Sequence, residues 1–408
     1  MKQIFLQKGN RLLFSLISTI LFIVSFYIFY IQVFYYQFYN VPKSDLSDHI
    51  KLIELLIQHQ YNVPHAGFHY FTLFISELFH LSREYAAIIL LSSFVVVSLI
   101  VTLFTLTYFL REIYSEKFLI IISLFLNLIT PVFLPILNTT IYFGQGSPNI
   151  WHSPTYIMTK PFVLPIILLV IFILRDFKKK SSIYSIILTG FLLGLSVFFK
   201  PNFALAFIPA IGIFVLIKYR NDFRKYVISF FLVLPSLLLL VYQFLSTYFF
   251  HKNEIGGTGD QIFFSFFGAW SVHSPFIPLS ILRGVIFPVL IFVFRKRETR
   301  NNDYLIISWI FYFVAFLEVS LLAEKNSFFA FNFSNGYNFA LVSIYAFSTI
   351  EFLKWMKELA FPFNIVALKF SALSGDRKKL YITTIVFYWY IISGFIYLIR
   401  QVLGYGFS

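Results

Sequence analysis

Long apolar runs alternate along this chain with short polar connectors. The runs fall at about residues 11–36, 85–110, 118–137, 161–176, 182–199, 203–217, 226–248, 275–294, 304–323, 337–354 and 381–403. A helix crossing a bilayer needs about 20 predominantly apolar residues. The pattern therefore predicts about eleven transmembrane helices. The runs 161–176 and 203–217 are short, so they are expected to extend into their flanks or to run steeply. The first run is too long for a cleavable signal and lacks a small-residue cleavage site, so it reads as a retained helix.

Composition narrows the class further. Of the 408 residues, 59% are hydrophobic and only 12% are charged, against about 25% charged in a soluble domain. Half that supply cannot cover a water-facing surface, so most of the surface faces lipid. The 57 Phe and 26 Tyr suit lipid contact and the interfacial belt, and they are not read as a stacking platform for sugars or nucleotides. A net charge of +14 would point to nucleic acid in a soluble protein. Here the charges cluster between apolar runs, which is the positive-inside pattern, so no nucleic-acid partner is expected. The absence of Cys removes disulfides, thiolate metal sites and cysteine nucleophiles. The expected fold is an all-α polytopic membrane protein, with residues 1–408 forming a single transmembrane domain and membrane lipids as its solvent.

Charge sets the expected orientation. With a cytoplasmic N-terminus, the inner segments hold Lys2, Lys8 and Arg11; Arg111 and Lys117; Arg175 and Lys178 to Lys180; Lys218, Arg220, Arg224 and Lys225; Arg295, Lys296, Arg297 and Arg300; and Lys354, Lys357, Lys369, Arg377, Lys378 and Lys379. These are 23 of the 32 basic residues, which favours that orientation. Eleven spans then leave the C-terminus outside. The bias toward Lys, Ile, Asn and Phe suits an AT-rich bacterial genome, and hence a bacterial cytoplasmic membrane.

The outer loops fall at about 37–84, 138–160, 249–274 and 324–336. The inner segment 355–380 is long enough for an interfacial helix. In the first outer loop, Ile50, Leu52, Ile53, Leu55, Leu56 and Ile57 recur with helical spacing. They predict an amphipathic juxtamembrane helix over 48–60, capped by Ser47 or Asp48. A second such segment is expected over 65–80. Asp45 and Asp48 stand three residues apart with His49 beside them. Such a pair can serve as a general base or hold a divalent cation; it can equally be a helix cap and a solvated acid.

The second outer loop is rich in Gly, Pro, Asn and Ser and carries Trp151, His152, Thr155, Tyr156 and Lys160. Irregular backbone at membrane depth must be buried in protein or line a cavity, so this loop is either a cavity wall or a connector with an interfacial Trp. Lys200-Pro201-Asn202 breaks the positive-inside pattern. Its Lys either snorkels or contacts a phosphate. Arg283 lies about two turns inside the span 275–294, where charged groups face a polar interior, and a guanidinium suits phosphate or carboxylate. The third loop, with His251, Glu254, Asp260, Trp270 and His273, reads as a mobile cover. Its Gly256-Gly257-Thr258-Gly259 run is no phosphate loop. The eight His show no zinc spacing, and no nucleophilic serine elbow occurs.

This layout resembles the GT-C class of membrane glycosyltransferases. The likeness is architectural: a short cytoplasmic N-terminus, Asp45 and Asp48 in the loop after helix one, juxtamembrane segments over 48–80, and the loop 249–274 after helix seven. Lys200-Pro201-Asn202 also looks like the Lys-Pro turn of bacterial members. The resemblance implies transfer of a sugar from a polyprenyl-phosphate carrier to a glycan, lipid or protein acceptor on the outer face. It implies a catalytic base or metal ligand at Asp45 or Asp48, with a divalent cation as the candidate cofactor. His49 is grouped with these acids. Carrier phosphate would meet Lys200 or Arg283, and His152, Trp151 and Tyr156 complete the expected substrate wall. The usual adjacent acidic pair is replaced here by acids separated by Leu46-Ser47.

Two other readings compete. A polysaccharide polymerase or ligase would work through Arg283 and His152. A transporter or flippase would show repeats and midplane charges. No repeat occurs, and Glu318 is the main acid set deep in a span.

Overall fold

The computed structural model describes residues 8–35, 44–58, 65–136, 144–176, 181–246, 261–325, 328–363, 370 and 373–404. The helices are α1 (Lys8–Phe34), α2 (Asp45–Ile57), α3 (Gly67–Phe79), α4 (Arg83–Leu110), α5 (Glu116–Leu128), α6 (Pro154–Arg175), α7 (Ser181–Phe199), α8 (Asn202–Lys218), α9 (Phe223–Leu245), α10 (Gly268–His273), α11 (Ile277–Phe294), α12 (Lys296–Asn301), α13 (Asp303–Leu321), α14 (Ser334–Glu358) and α15 (Gly375–Val402). Two short strands, β1 (Ile262–Phe264) and β2 (Leu322–Glu324), pair antiparallel with Ile262 opposite Glu324.

Among the described residues, eight helices are long and apolar enough to cross a membrane, and the apolar helices over 183–199 and 202–218 are shorter. The protein is a multi-pass integral membrane protein. Polar caps begin several spans: Ser82, Ser115, Asp222 and Asn302 accept from backbone N–H groups of α4, α5, α9 and α13, which satisfies donors a helix start leaves open. On α15, Ile382, Ile385, Trp389, Ile392, Ile396, Ile399 and Leu403 are exposed at steps of three and four. This stripe faces outward because lipid accepts it without cost. α14 is buried along nearly its whole length and forms the centre of the bundle.

Several expectations are corrected. The run 118–137 is not a full span, because α5 stops at Leu128 after 13 residues. Pro131 follows, and the residue before a proline is driven out of the helical region. The irregular stretch that follows stays buried at Ile129, Thr130, Val132 and Phe133. Its backbone is satisfied by α15: Phe133 N–H donates to Ser393 Oγ at 3.0 Å, and Thr130 N–H to the Tyr390 carbonyl at 3.4 Å. The run 161–176 extends back to Pro154, so Thr155, Tyr156 and Lys160 sit on the first turns of α6 rather than in a loop. The first outer loop of the sequence holds the helices α2 and α3, and Ser44 caps α2, accepting from Leu46 N–H at 3.2 Å. The fourth outer loop holds β2 and a 3₁₀ turn over Phe328–Ala330. Residues 247–260, with the glycine run, His251, Glu254 and Asp260, lie outside the described residues, as do 364–369 and 371–372 of the inner segment.

The helices alternate in direction, which gives the bundle two ends. At one end Asn10 bonds Glu116 at 2.5 Å, and Asp303 bridges Arg175 at 2.7 Å and Lys218 at 3.0 Å. At that same end Arg295 pairs with Glu351 at 3.0 Å and Glu358 at 2.7 Å. Arg175, Lys218 and Arg295 of the basic clusters lie there. The opposite end carries α2, α3, the irregular 129–153 segment, the Lys200 turn, the β1–β2 ribbon and α10.

Candidate active site at the loop end of the bundle

Gln32 on α1 organises this end. Its Nε2 donates to the Trp151 carbonyl at 3.0 Å, and its Oε1 accepts from Ser44 Oγ at 2.9 Å. Its own carbonyl accepts from Ser47 Oγ at 3.3 Å, and Ser44 Oγ also reaches the His152 carbonyl at 3.4 Å. The start of α2 is thereby pinned to α1 and to the segment entering α6. Asp45, Asp48 and His49 all stand in its first turn or just beyond. α3 is brought in by Gly67, where an added Cβ would lie 2.4 Å from the Phe199 ring and 2.9 Å from the Phe198 carbonyl. Only glycine permits that approach, and it sets α3 against the last residues of α7. Lys200 follows at once. It is buried, and its ammonium donates to Thr155 Oγ1 on α6 at 3.0 Å.

The cluster therefore draws on α2, α3, α6 and the α7–α8 turn. His49 Nδ1 and His69 Nε2 are 3.0 Å apart. Asp45 feels the charge of Lys200 and of Asp48. Its side chain is accessible, yet enough protein surrounds it for burial to raise its carboxyl above the usual range. Lys200 is pushed down to about 8 by burial, and opposed in this by Asp45 and Glu324. Lys200 thus keeps its charge at neutral pH, helped by the two acids.

The imidazoles stay neutral. Burial first, then the charge of Lys200, holds His65 and His152 at about 3, and burial holds His69 at about 4. Burial, His69, His65 and Lys200 keep His49 well below its usual value. The sign of the consequence is clear. The unfolded chain takes up protons on these residues below about pH 6.5, whereas the folded protein does not, so stability falls as pH drops from 6.5 toward 4. For the fully buried His69 the loss amounts to about 2 kcal/mol by pH 5. Thermal unfolding in detergent should show a lower Tm at pH 5 than at pH 7, and His69→Gln should flatten that slope. An unchanged slope would show that His69 is not a neutral buried group.

Of the residues expected from sequence, Asp45, Asp48, His49, His152 and Lys200 share this end. Arg283 does not join them. It is buried on α11, its Nε donates to the Val132 carbonyl at 3.1 Å, and its own carbonyl accepts from Tyr390. It braces the irregular segment after α5. Tyr156 is fully buried, stacked on Phe339 with centroids 4.4 Å apart, and donates to the Pro148 carbonyl at 3.0 Å. That is a packing role rather than a substrate wall, because both its ring and its hydroxyl are taken up inside the bundle. Trp151 lines a separate recess with Lys160. Trp270 is likewise internal, donating to the Gly144 carbonyl. Glu318 lies in the last turn of α13, beside Gly336.

Sequence reasoning missed Glu324, His65, His69 and Gln32. Glu324 faces Lys200 electrostatically, accepts from Asn332 Nδ2 at 2.5 Å and is carried by β2. The His65–His69 spacing of four, one helical turn, was a usable signal. Glu324 had none, because its position depends on the ribbon register. Among the described residues no three His, Cys, Asp or Glu come together as a group that could hold a metal ion. Between Asp45 and Glu324 the positive charge is that of Lys200.

No protein-family profile and no curated protein sequence matches the chain. Among solved structures, the chain is similar to the oligosaccharyltransferase of Archaeoglobus fulgidus, determined with a tethered acceptor peptide containing the NVT sequon. The TM-score is 0.49 and the identity 12%, over 96% of this chain and 56% of the other. The chain thus spans little more than half the length of that protein.

Proposed function

We propose that this protein is a GT-C-type glycosyltransferase that moves a sugar from a polyprenyl-phosphate carrier to an acceptor at the loop end of the bundle. The observation that carries the reading is Asp45, accessible at the start of α2 and within electrostatic reach of the buried ammonium of Lys200. In the proposed step Asp45 takes the proton of the acceptor hydroxyl. The acceptor oxygen bonds to the anomeric carbon as the bond from that carbon to the phosphate oxygen breaks. The carrier phosphate leaves with the electron pair, and Lys200 neutralises the charge that develops on it. Thr155 positions the ammonium. A raised carboxyl is a stronger base, which suits this task. The neutral histidines add hydrogen-bonding capacity without competing for the phosphate. An apolar bundle is the natural host for a carrier whose tail is hydrocarbon.

The test is sugar transfer by the purified protein supplied with polyprenyl-phosphate sugars. The rate should follow a bell-shaped pH profile. Its acid limb should lie above the ordinary carboxylate range, because Asp45 must be ionised. Its alkaline limb should lie near 8, where Lys200 loses its proton. Lys200→Met should lower the rate by about 10²–10³-fold and remove the alkaline limb. Transport of an intact sugar-lipid with no transfer would sink the reading.

A further inference from the structure

A recess with a few polar groups in a largely apolar wall lies along α6. It is lined by Ser98 of α4, Asn127 of α5, Asn149 and Trp151 of the irregular segment, and Ile157 and Lys160 of α6. It has room for about one water-sized atom and is open on one side. Neither Asp45 nor Lys200 borders it.

The recess is built around the ammonium of Lys160. Asn127 Oδ1 accepts from Nζ at 3.1 Å, and Asn149 Oδ1 accepts from it as well. Both amides are locked in this orientation. Asn127 Nδ2 donates to Thr102 Oγ1 at 3.1 Å and the Ser123 carbonyl at 2.9 Å. Asn149 Nδ2 donates to the Ile129 carbonyl at 2.6 Å and the Leu126 carbonyl at 3.3 Å. With the amide nitrogens committed to these oxygens, the amide oxygens must turn to Lys160. An ammonium has three N–H donors, and these contacts use two. No carboxylate pairs with Lys160 among the described residues. A cation inside a membrane helix is costly unless a partner joins it, so an acceptor that brings negative charge would complete the third donor of Lys160 at the recess.

We propose that this recess binds a phosphate group, with one phosphate oxygen on Lys160 Nζ and the remainder on its open side. A phosphate fits the observations because it is an anion made of oxygen acceptors that can insert one atom and keep the others outside. The phosphate is that of a phospholipid headgroup or free phosphate, and the chemistry at Nζ is the same. The inference is independent of Asp45 and of sugar transfer.

The experiment uses the full-length protein purified in a neutral, phosphorus-free detergent. Native mass spectrometry reads phosphate-bearing lipid retained per molecule. Thermal unfolding is followed against inorganic phosphate, with chloride at matched ionic strength. One retained lipid identifies a headgroup, and a saturable rise in Tm with inorganic phosphate identifies the free ion. In either case Lys160→Met should weaken binding by about tenfold or more, the worth of one charged hydrogen bond. Ser98→Leu fills the recess from α4 and leaves Lys160 and its amides intact, so it should do the same if Lys160→Met fails to fold. Wild-type protein with neither retained lipid nor a phosphate-dependent Tm would overturn the proposal. So would binding that persists unchanged in both variants.

Discussion

Asp45→Asn is expected to lower sugar transfer by about 10²–10⁴-fold, the usual contribution of a general base, with the fold intact. Asn is isosteric, and the Ser44 cap that starts α2 does not involve the Asp45 side chain. A second readout separates lost chemistry from lost structure. Asp45 is one of two acids that hold Lys200 charged against its burial. Removing it lets the Lys200 ammonium titrate lower, so the alkaline limb of the residual activity should move to lower pH. Asp48→Asn should behave in the opposite sense. The charge of Asp48 raises Asp45, so without it the acid limb should shift to lower pH while most of the rate survives. Full activity in Asp45→Asn together with a dead Asp48→Asn would assign the base to the other acid. Full activity in both would remove the proposed chemistry altogether.

Gly394→Val is expected to cost more than about 3 kcal/mol, beyond the range of ordinary overpacking. A Cβ at Gly394 would stand 2.2 Å from the Leu128 carbonyl oxygen, 2.7 Å from its carbon and 3.0 Å from Ile129 Cα. These are backbone atoms at the end of α5, and they cannot rotate away as a side chain can. Retreat of α15 would also strip the partners of Thr130 and Phe133 from an irregular stretch at membrane depth. Backbone groups left unpaired in that environment cost several kcal/mol each. Yield and Tm in detergent are the measurements. Gly212→Ala is the control, since nothing lies within 4 Å of its added Cβ and alanine favours a helix by about 1 kcal/mol. A Gly394→Val protein as stable as wild type would show that the α5–α15 contact is not as close as described.

The hydrophobic pattern was enough to locate the helices. Runs of apolar side chains report burial in lipid directly, because each lipid-facing residue answers to the solvent rather than to a partner. Of the basic clusters, Arg175, Lys218 and Arg295 meet acidic partners in the packed bundle. The amphipathic stretches after α1 were legible for the same reason. Lys200 stood out because it broke a pattern.

What sequence could not supply was which side chains meet. The early end of α5 at Leu128, the continuation of α6 to Pro154, and the internal placement of Arg283 and Tyr156 depend on contacts between segments far apart in the chain. The charge of Glu324 acts on Lys200 only because the β1–β2 register and Asn332 hold it in place. Lys160 looked like a loop residue until α6 took it into the bundle. A hydropathy pattern measures each residue against its solvent. Sites are made by residues measured against one another, and that information exists only once the helices have packed.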